Sequence, residues 1–263
     1  MRENPPAPGI DVTVPSIARV YDYYLGGKDN FAADREFAEK VAAQVPDAPR
    51  TLRANRDFLR RVVGHLAKEC GIRQFLDIGS GLPTQDNVHE VAHRHAPESV
   101  VVYVDNDPIV LTHARALLDA GDRTAVINGD LREPAKICDD PETRRLLDFG
   151  RPIGLLVLTT LFFVSDEFRP HELMRTLTER LVPGSYLALS HAEIRPQIQQ
   201  AGATFRAEAT APGVPRTRES IAAFFDGFEL VDPGLVPVTA WRPAGPERAP
   251  DRVWLYGGVA RKS

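Results

Sequence analysis

Phe75-Leu76-Asp77-Ile78-Gly79-Ser80-Gly81-Leu82-Pro83-Thr84 is the stretch that decides how this chain folds. Two apolar residues lead to an acid, Asp77, and then to two glycines one residue apart, with a helical pattern starting a few residues later. That order reads as a buried strand ending in a tight turn. Glycine suits such a turn because it accepts positive φ and carries no Cβ to keep a ligand away. Chains of this pattern bind a nucleotide or nucleoside-like cofactor at the carboxyl end of the first strand.

The pattern around that stretch alternates. Strands are predicted over 74–78, 100–105, 124–128, 154–158 and 185–190, with helices over 85–95, 108–120, 141–149 and 170–181 between them. Alternation at this spacing implies a parallel sheet covered on both faces. Toward the end, 229–231 and 253–260 flank a Pro/Gly-rich stretch holding Trp241 and Gly245-Pro246, and read as a hairpin adding an antiparallel strand at or near the sheet edge. Before the glycine turn lie three helical stretches. Ile17, Val20, Tyr21 and Tyr24 form one stripe after Ser16 and stop at Gly26-Gly27. Asn30 is a candidate cap for the second, which carries Phe37 and Val41. Leu52, Leu59, Val62, Val63 and Leu66 line the third. Residues 1–14 read as a flexible arm, 15–70 as a helical lid and 71–263 as an α/β core of one domain.

With 263 residues, 43% of them hydrophobic and 26% charged, the chain has the composition of an ordinary globular domain. A formal net charge of −4 gives no support to a nucleic-acid partner. Cys70 and Cys138 stand in no paired spacing, which argues against a disulfide framework or zinc site. No apolar run reaches membrane-spanning length and no signal-peptide core opens the chain, so a cytoplasmic location is expected.

In a doubly wound sheet the ligand crosses the carboxyl ends of the strands. After the first strand stand Asp77 and the turn Gly79-Ser80-Gly81. The second ends in Asp105, followed by Asn106, the third in Gly129-Asp130-Leu131, and the fourth in Thr159-Thr160. Asp105 is where a carboxylate accepts both hydroxyls of a ribose, and Asp130 is where one accepts an exocyclic amine. A dinucleotide would want a third glycine where Thr84 stands. Acids after the first three strands suit S-adenosylmethionine, whose sulfonium and ammonium tolerate carboxylates that would repel phosphate.

At this point the chain resembles the class I S-adenosylmethionine-dependent methyltransferases. It resembles more narrowly a largely actinobacterial family long catalogued as a domain of unknown function and assigned to methyl transfer. The resemblance spans nearly the whole chain and is carried by PSIARVYDYYLGGKDNFAADR, NRDFLRR, QFLDIGSGLPTQDNVHEVA, VVYVDNDPIVL and PGSYLALSHA. It implies a Rossmann-like fold with a seven-stranded, mostly parallel sheet. It also implies an S-adenosylmethionine site made by the turn, Asp105 and Gly129-Asp130-Leu131, roofed by the N-terminal helices, and it implies no particular substrate. Relatives tend to carry Leu-His-Phe after the fourth strand, where this chain has Leu161-Phe162-Phe163, so an imidazole base is missing there.

The expected reaction is therefore methyl transfer from S-adenosylmethionine to a small-molecule acceptor. Such transfer needs a base only if the nucleophile arrives protonated. His191, read as lying just past the fifth strand, is the candidate. Tyr23, off the stripe of Tyr21 and Tyr24, is a candidate cap on the sulfonium, Asn30 a second lid residue, and Arg53 a partner for the cofactor carboxylate. The stretch 205–220, polar and proline-broken, is expected to shape the acceptor pocket with the lid. A non-catalytic cofactor-binding sensor or partner protein is the alternative, and an NAD(P)-dependent oxidoreductase is disfavoured by Thr84. His89-Glu90-Val91-Ala92-His93 matches the HExxH zinc motif, but its helix flank should pack beside the sheet with no third ligand, so no metal is expected.

Overall fold

The computed structural model describes residues 11–83, 86–118, 122–243, 245 and 253–263. Thr84, Gln85, Ala120, Pro246 and the first ten residues of the expected arm lie outside the described residues.

Three helices come first: α1 (Ile17–Leu25), α2 (Ala32–Gln44) and α3 (Ala48–Lys68). α1 stops where Gly26 turns left-handed, at φ +83°, a conformation glycine adopts without steric cost. The alternating part follows: β1 (Gln74–Ile78), α4 (Val88–His93), β2 (Val100–Asp105), α5 (Pro108–Leu118), β3 (Thr124–Asn128), α6 (Pro134–Asp139), α7 (Pro141–Leu146) and β4 (Gly154–Leu158). A 3₁₀ turn over Thr160–Phe163 leads on to α8 (Pro170–Glu179), β5 (Tyr186–Ala192), α9 (Pro196–Glu208), α10 (Arg218–Ala222), β6 (Phe228–Leu230), β7 (Val236–Pro237) and β8 (Leu255–Lys262).

The sheet runs β3-β2-β1-β4-β5-β8-β6, and the two-residue β7 pairs with β8 beside this path. β1 to β5 are mutually parallel, whereas β8 is antiparallel to both β5 and β6. The seven strands expected are thus present, with β7 as an eighth, and the final antiparallel strand β8 lies near the sheet edge as expected, one strand in from it. Chain order reverses between β1 and β4, the switch point at which open α/β sheets place their ligand crevice.

Strand alternation sends neighbouring residues into different cores. Phe75, Val101, Tyr103 and Leu156 join the cluster under α1–α4, whereas Leu76, Val102, Val104 and Leu155 join the one under α6–α8. α3 is a layer of this fold as much as a roof. Its Phe58 meets Trp241 edge-to-face at 5.6 Å and packs where a Cβ on Gly257 would come within 2.8 Å of its ring. β5 extends two residues past the expected end because pairing with β8 continues to Ala192 opposite Leu255. α9 was not anticipated; Pro196 stands at its first position, where proline is tolerated, and Gly202 interrupts its pattern. Gly202 is required there because a Cβ would lie 2.4 Å from the carbonyl oxygen of Gly213.

Candidate functional site

A cleft of about 680 Å³ opens at the carboxyl ends of β1 to β4, under the first turn of α1 and beside residues 210–212. Its floor is the glycine turn. Gly79 has φ +71° and Gly81 φ +68°. A Cβ on Gly79 would lie 2.4 Å from Oγ1 of Thr160, which itself donates to the Ile78 carbonyl at 2.8 Å. The ends of β1 and β4 therefore touch through a hydroxyl that only glycine leaves room for.

Asp105 closes the second side. Its Oδ2 accepts the Gly81 amide at 2.9 Å and its Oδ1 the Asp107 amide at 3.0 Å. Burial raises its pKa, and those two amides act against the rise. Asp130 takes a hydrogen bond from Asn106 Nδ2 at 2.9 Å and from Arg132 Nε at 2.9 Å. Burial would raise its pKa, but the hydrogen bonds, Arg132 foremost, bring it below the usual carboxylate value. Asp77 is 5% exposed, and burial pushes its pKa up to about 7, against the pull of the Arg56 guanidinium.

The roof is tied down on both sides. Ser16 Oγ donates to Asp107, and the amide of Thr210 donates to the Pro15 carbonyl at 3.2 Å. Arg19, buried in α1, pairs with Asp34 at 2.9 Å and donates to the Asp11 and Val14 carbonyls. At the deep end Asn55 of α3 joins three elements. It accepts from Ser190 Oγ at 2.7 Å and donates to Tyr21 Oη and to Thr159 Oγ1, each at 3.3 Å. Thr159 stands at φ +61°, uncommon for a β-branched residue and of the kind of backbone strain that gathers at functional sites.

Of the residues singled out in the sequence, Asp77, Gly79, Ser80, Gly81, Asp105, Asn106, Gly129, Asp130, Leu131 and Thr160 all line this one cleft. Four do not. Tyr23 turns outward, its hydroxyl donating to Glu39 at 3.2 Å, and Tyr21 faces the cleft in its place. Asn30 donates to Asp22 at 2.8 Å and to the Gly27 carbonyl, while α2 is capped by Asp34 accepting from the Phe31 amide. Arg53 is exposed and bonds the Tyr24 carbonyl at 3.0 Å. His191 lies within β5 and is 0% exposed. Its Nδ1 donates to the Ala192 carbonyl at 3.0 Å and its Nε2 accepts from Arg216 at 2.8 Å. Burial, and then Arg216, drive its pKa down to about 3. Fully buried and outside the cleft lining, it is held by Arg216 and the Ala192 carbonyl rather than presented to the cleft as a base.

Arg216 itself is 5% exposed and organises the segment after β4. Its guanidinium donates to the carbonyls of Leu161 at 2.8 Å and Val164 at 2.9 Å, and to Asp166 at 2.7 Å. The HExxH histidines have other partners. His89 Nδ1 accepts from the Tyr103 hydroxyl at 2.8 Å and His93 Nε2 donates to the Ser99 carbonyl at 2.9 Å. Asn55, Arg56 and Tyr21 were missed as site residues. Asn55 left a trace, since it occupies a core-facing step in the stripe Leu52-Asn55-Leu59-Val62-Leu66, where a polar side chain needs a buried partner.

Strand order with an antiparallel β8 between β5 and β6, and a carboxylate-lined cleft at the switch point, define a class I methyltransferase of the S-adenosyl type. The profile of the S-adenosyl methyltransferase family matches residues 3–263, and the chain belongs to that family. A DUF574-family protein from Streptomyces avermitilis is 44% identical, with a TM-score of 0.91 over 96% of this chain and 99% of that one. A protein from Thermobifida fusca, described provisionally as a methyltransferase, is 42% identical, with a TM-score of 0.93 over 97% and 98% of the two chains. An O-methyltransferase family protein from Burkholderia thailandensis shares the fold alone, at 14% identity and TM-score 0.54 over 87% of this chain and 62% of that one. No curated protein matches the chain. Among the described residues, no helix is long and apolar enough to cross a membrane.

Proposed function

We propose that the cleft binds S-adenosylmethionine across the ends of β3, β2 and β1 and that its methyl group passes to a small-molecule acceptor on the β4 side. The observation that carries this is the set of carboxylates at three successive strand ends, Asp77, Asp105 and Asp130, all on one cleft. Such a set accepts from hydroxyl, amine and ammonium donors and repels the pyrophosphate of a dinucleotide.

Bound there, S-adenosylmethionine supplies an electrophilic methyl carbon on a cationic sulfur. The chain's own groups do the positioning. Asp105, fixed by two amides, accepts the ribose hydroxyls, and Asp130 with Asn106 meets the adenine edge. Gly79 lets the backbone approach the ligand. Leu59, Leu158, Phe163 and Pro212 give the acceptor an apolar wall and exclude water. The described lining holds no histidine, lysine or cysteine. That composition favours an acceptor whose lone pair is available without an imidazole base, such as a weakly basic amine that is unprotonated at neutral pH, and disfavours an anionic one. A reducing, cytoplasmic setting suits the unpaired Cys70 and Cys138.

Calorimetric titration with S-adenosylhomocysteine, run beside NAD and NADP, tests the cofactor. Micromolar affinity for the first alone is expected; heat from a dinucleotide alone overturns the reading. Methyl-labelled S-adenosylmethionine offered with matched small amines and carboxylates then tests the acceptor side, where label in the carboxylates alone would reverse the charge argument.

A further inference from the structure

We propose that Cys70 is a thiol–disulfide exchange site that takes up a low-molecular-weight disulfide as a mixed-disulfide adduct. His65 acts as its base and Glu69 orients that base. The site lies outside the cleft, whose lining includes none of the three, and does not rest on the cofactor reading.

All three residues come from one short stretch at the end of α3. His65 is in its last turn, Glu69 caps it, and the amide of Cys70 turns back to the His65 carbonyl at 3.2 Å. That turn brings Cys70 Sγ to 3.3 Å from Nε2 of His65, while Nδ1 of the same ring lies 2.9 Å from Oε2 of Glu69. With Nδ1 donating to the carboxylate, Nε2 is the nitrogen left to accept the thiol proton. Nucleophile, base and orienting acid in that order form the arrangement that activates a thiol. The sulfur and the carboxylate sit on opposite ring nitrogens, which suits proton transfer and not a shared metal. Among the described residues no metal-holding group of three such side chains exists.

Two other parts of the chain close around the pair. Arg242, in the segment after β7, sets Nη1 2.8 Å from His65 Nδ1, 3.2 Å from Nε2 and 3.4 Å from Glu69. Burial first, and then that guanidinium, lower the pKa of His65, so the ring is neutral and able to take a proton. From β5 the Tyr186 hydroxyl bonds to Cys70, and Arg261 of β8 bonds to Tyr186 in turn. Burial, followed by Cys70, pushes the pKa of Tyr186 up to about 12, so it stays a neutral donor toward the sulfur. The flanking charges are thus Arg242 and Arg261, which favour a thiolate, against the one acid, Glu69.

Trp241 points to an incoming group. Its ring lies 5.8 Å from that of His65 and 5.3 Å from the Arg242 guanidinium. Its Nε1 is buried and has no hydrogen-bond partner among the described residues. A buried indole N–H ordinarily finds one, so a donor is left over beside the imidazole. Cys70 is also open to a reagent, being partly exposed where Cys138 is buried.

The exchange balances within the reactants. Cys70 passes its proton to His65 Nε2, and the thiolate attacks one sulfur of the disulfide. A bond from Cys70 Sγ forms as the reagent's S–S bond breaks, and the departing thiolate takes the proton back from the imidazolium. The disulfide is the oxidant, so Cys70 is oxidised and the leaving sulfur reduced.

The test uses the whole protein with 5,5′-dithiobis(2-nitrobenzoate), whose released thiolate is followed by absorbance. Peptide mapping after treatment with oxidised glutathione locates the adduct. At pH 7 an ordinary thiol is only a few per cent ionised. Cys70 in the folded chain should therefore react about tenfold faster, or more, than the two thiols of the urea-unfolded chain. The glutathione adduct should map to Cys70 and leave Cys138 free. His65→Gln should cut the pH 7 rate by about tenfold while matching wild type near pH 10, where the thiol ionises unaided. A smaller folded-chain advantage overturns the proposal, as does an adduct on Cys138 instead. A His65→Gln loss equal at both pH values would mark packing alone and overturns it too, as does no loss. The comparison of folded with unfolded wild type does not depend on any variant folding.

Discussion

Oδ2 of Asp105 accepts the backbone amide of Gly81 at 2.9 Å. The carboxylate that ends β2 thus fixes the glycine turn that ends β1, and the turn fixes the carboxylate in return. Because the acceptor is charged, the contact is stronger than an ordinary amide bond. Asp105→Asn keeps the shape and removes the charge. It should weaken S-adenosylhomocysteine about 10- to 100-fold, the range of one or two charged hydrogen bonds, with little change in fold by circular dichroism. An unchanged Kd would remove the ribose assignment.

Gly79→Ala tests the contact between β1 and β4. The new methyl would sit 2.4 Å from Thr160 Oγ1 and would have to hold φ near +71°. The left-handed backbone alone costs roughly 1–2 kcal/mol. With the collision added, thermal unfolding should fall by about 4–8 °C. Gly79→Ala with Thr160→Ser should recover little, because Oγ1 is the nearest atom and serine retains it.

Asn55→Ala opens the junction of α3 with Tyr21, Thr159 and Ser190. Ser190 Oγ is buried and donates to Asn55 at 2.7 Å, so the variant leaves polar groups unsatisfied at about 1–3 kcal/mol. Denaturant unfolding should show that loss with an unchanged m-value. A cost below about 0.5 kcal/mol would mean water replaces the amide easily.

His191 and Asp77 should move stability with pH in opposite senses. His191 has a folded pKa of about 3 against 6.5 when free. Between those values the unfolded chain binds more protons, so stability is full above about 6.5 and is lost as pH falls toward 3. His191→Gln, which can still accept from Arg216, should flatten that limb by about 1.4 kcal/mol per pH unit. Urea unfolding at pH 4.5 and 7.5 reads the difference.

Asp77 runs the other way. Its folded pKa of about 7 exceeds the model-compound value of 3.8, so its contribution is present below 3.8 and is lost as pH rises through 7. In the ligand-free protein, Asp77→Asn should therefore be more stable than wild type at pH 8.5, on the order of a few kcal/mol at most. The advantage should vanish near pH 4. The same substitution should weaken S-adenosylhomocysteine, a trade of stability for binding expected at a buried functional carboxylate.

What the sequence made legible follows from how local each signal is. β1 to β4 fall on the residues predicted, because short apolar runs bounded by turn residues are set by the chain itself. Strand ends are local too, so Asp77, Asp105 and Asp130 could be placed on one cleft from topology alone. The lid was harder. Tyr21 and Tyr23 are two residues apart on one short helix, and which of them faces the cleft depends on where α1 docks against α2 and α3. His191 misled because β5 is longer than its apolar run. The extension comes from β8, more than sixty residues later, and it carries the imidazole into the sheet. Arg53 and Arg56 share one helix, and only the position of Asp77 and Asn87 in space distinguishes them.

Arg216 grips the segment after β4 at the Leu161 and Val164 carbonyls and at the Asp166 carboxylate, and takes hold of neither Phe163 nor Ser165. A grip of that kind does not depend on which side chains stand at 163 and 165. Phe163 and Ser165 both line the cleft, where Phe163 packs against Phe162 and Phe205 and Ser165 donates to Glu167. Single substitutions at these two positions are therefore expected to alter which small molecules fit the β4 side of the cleft while the strand-end carboxylates stay in place.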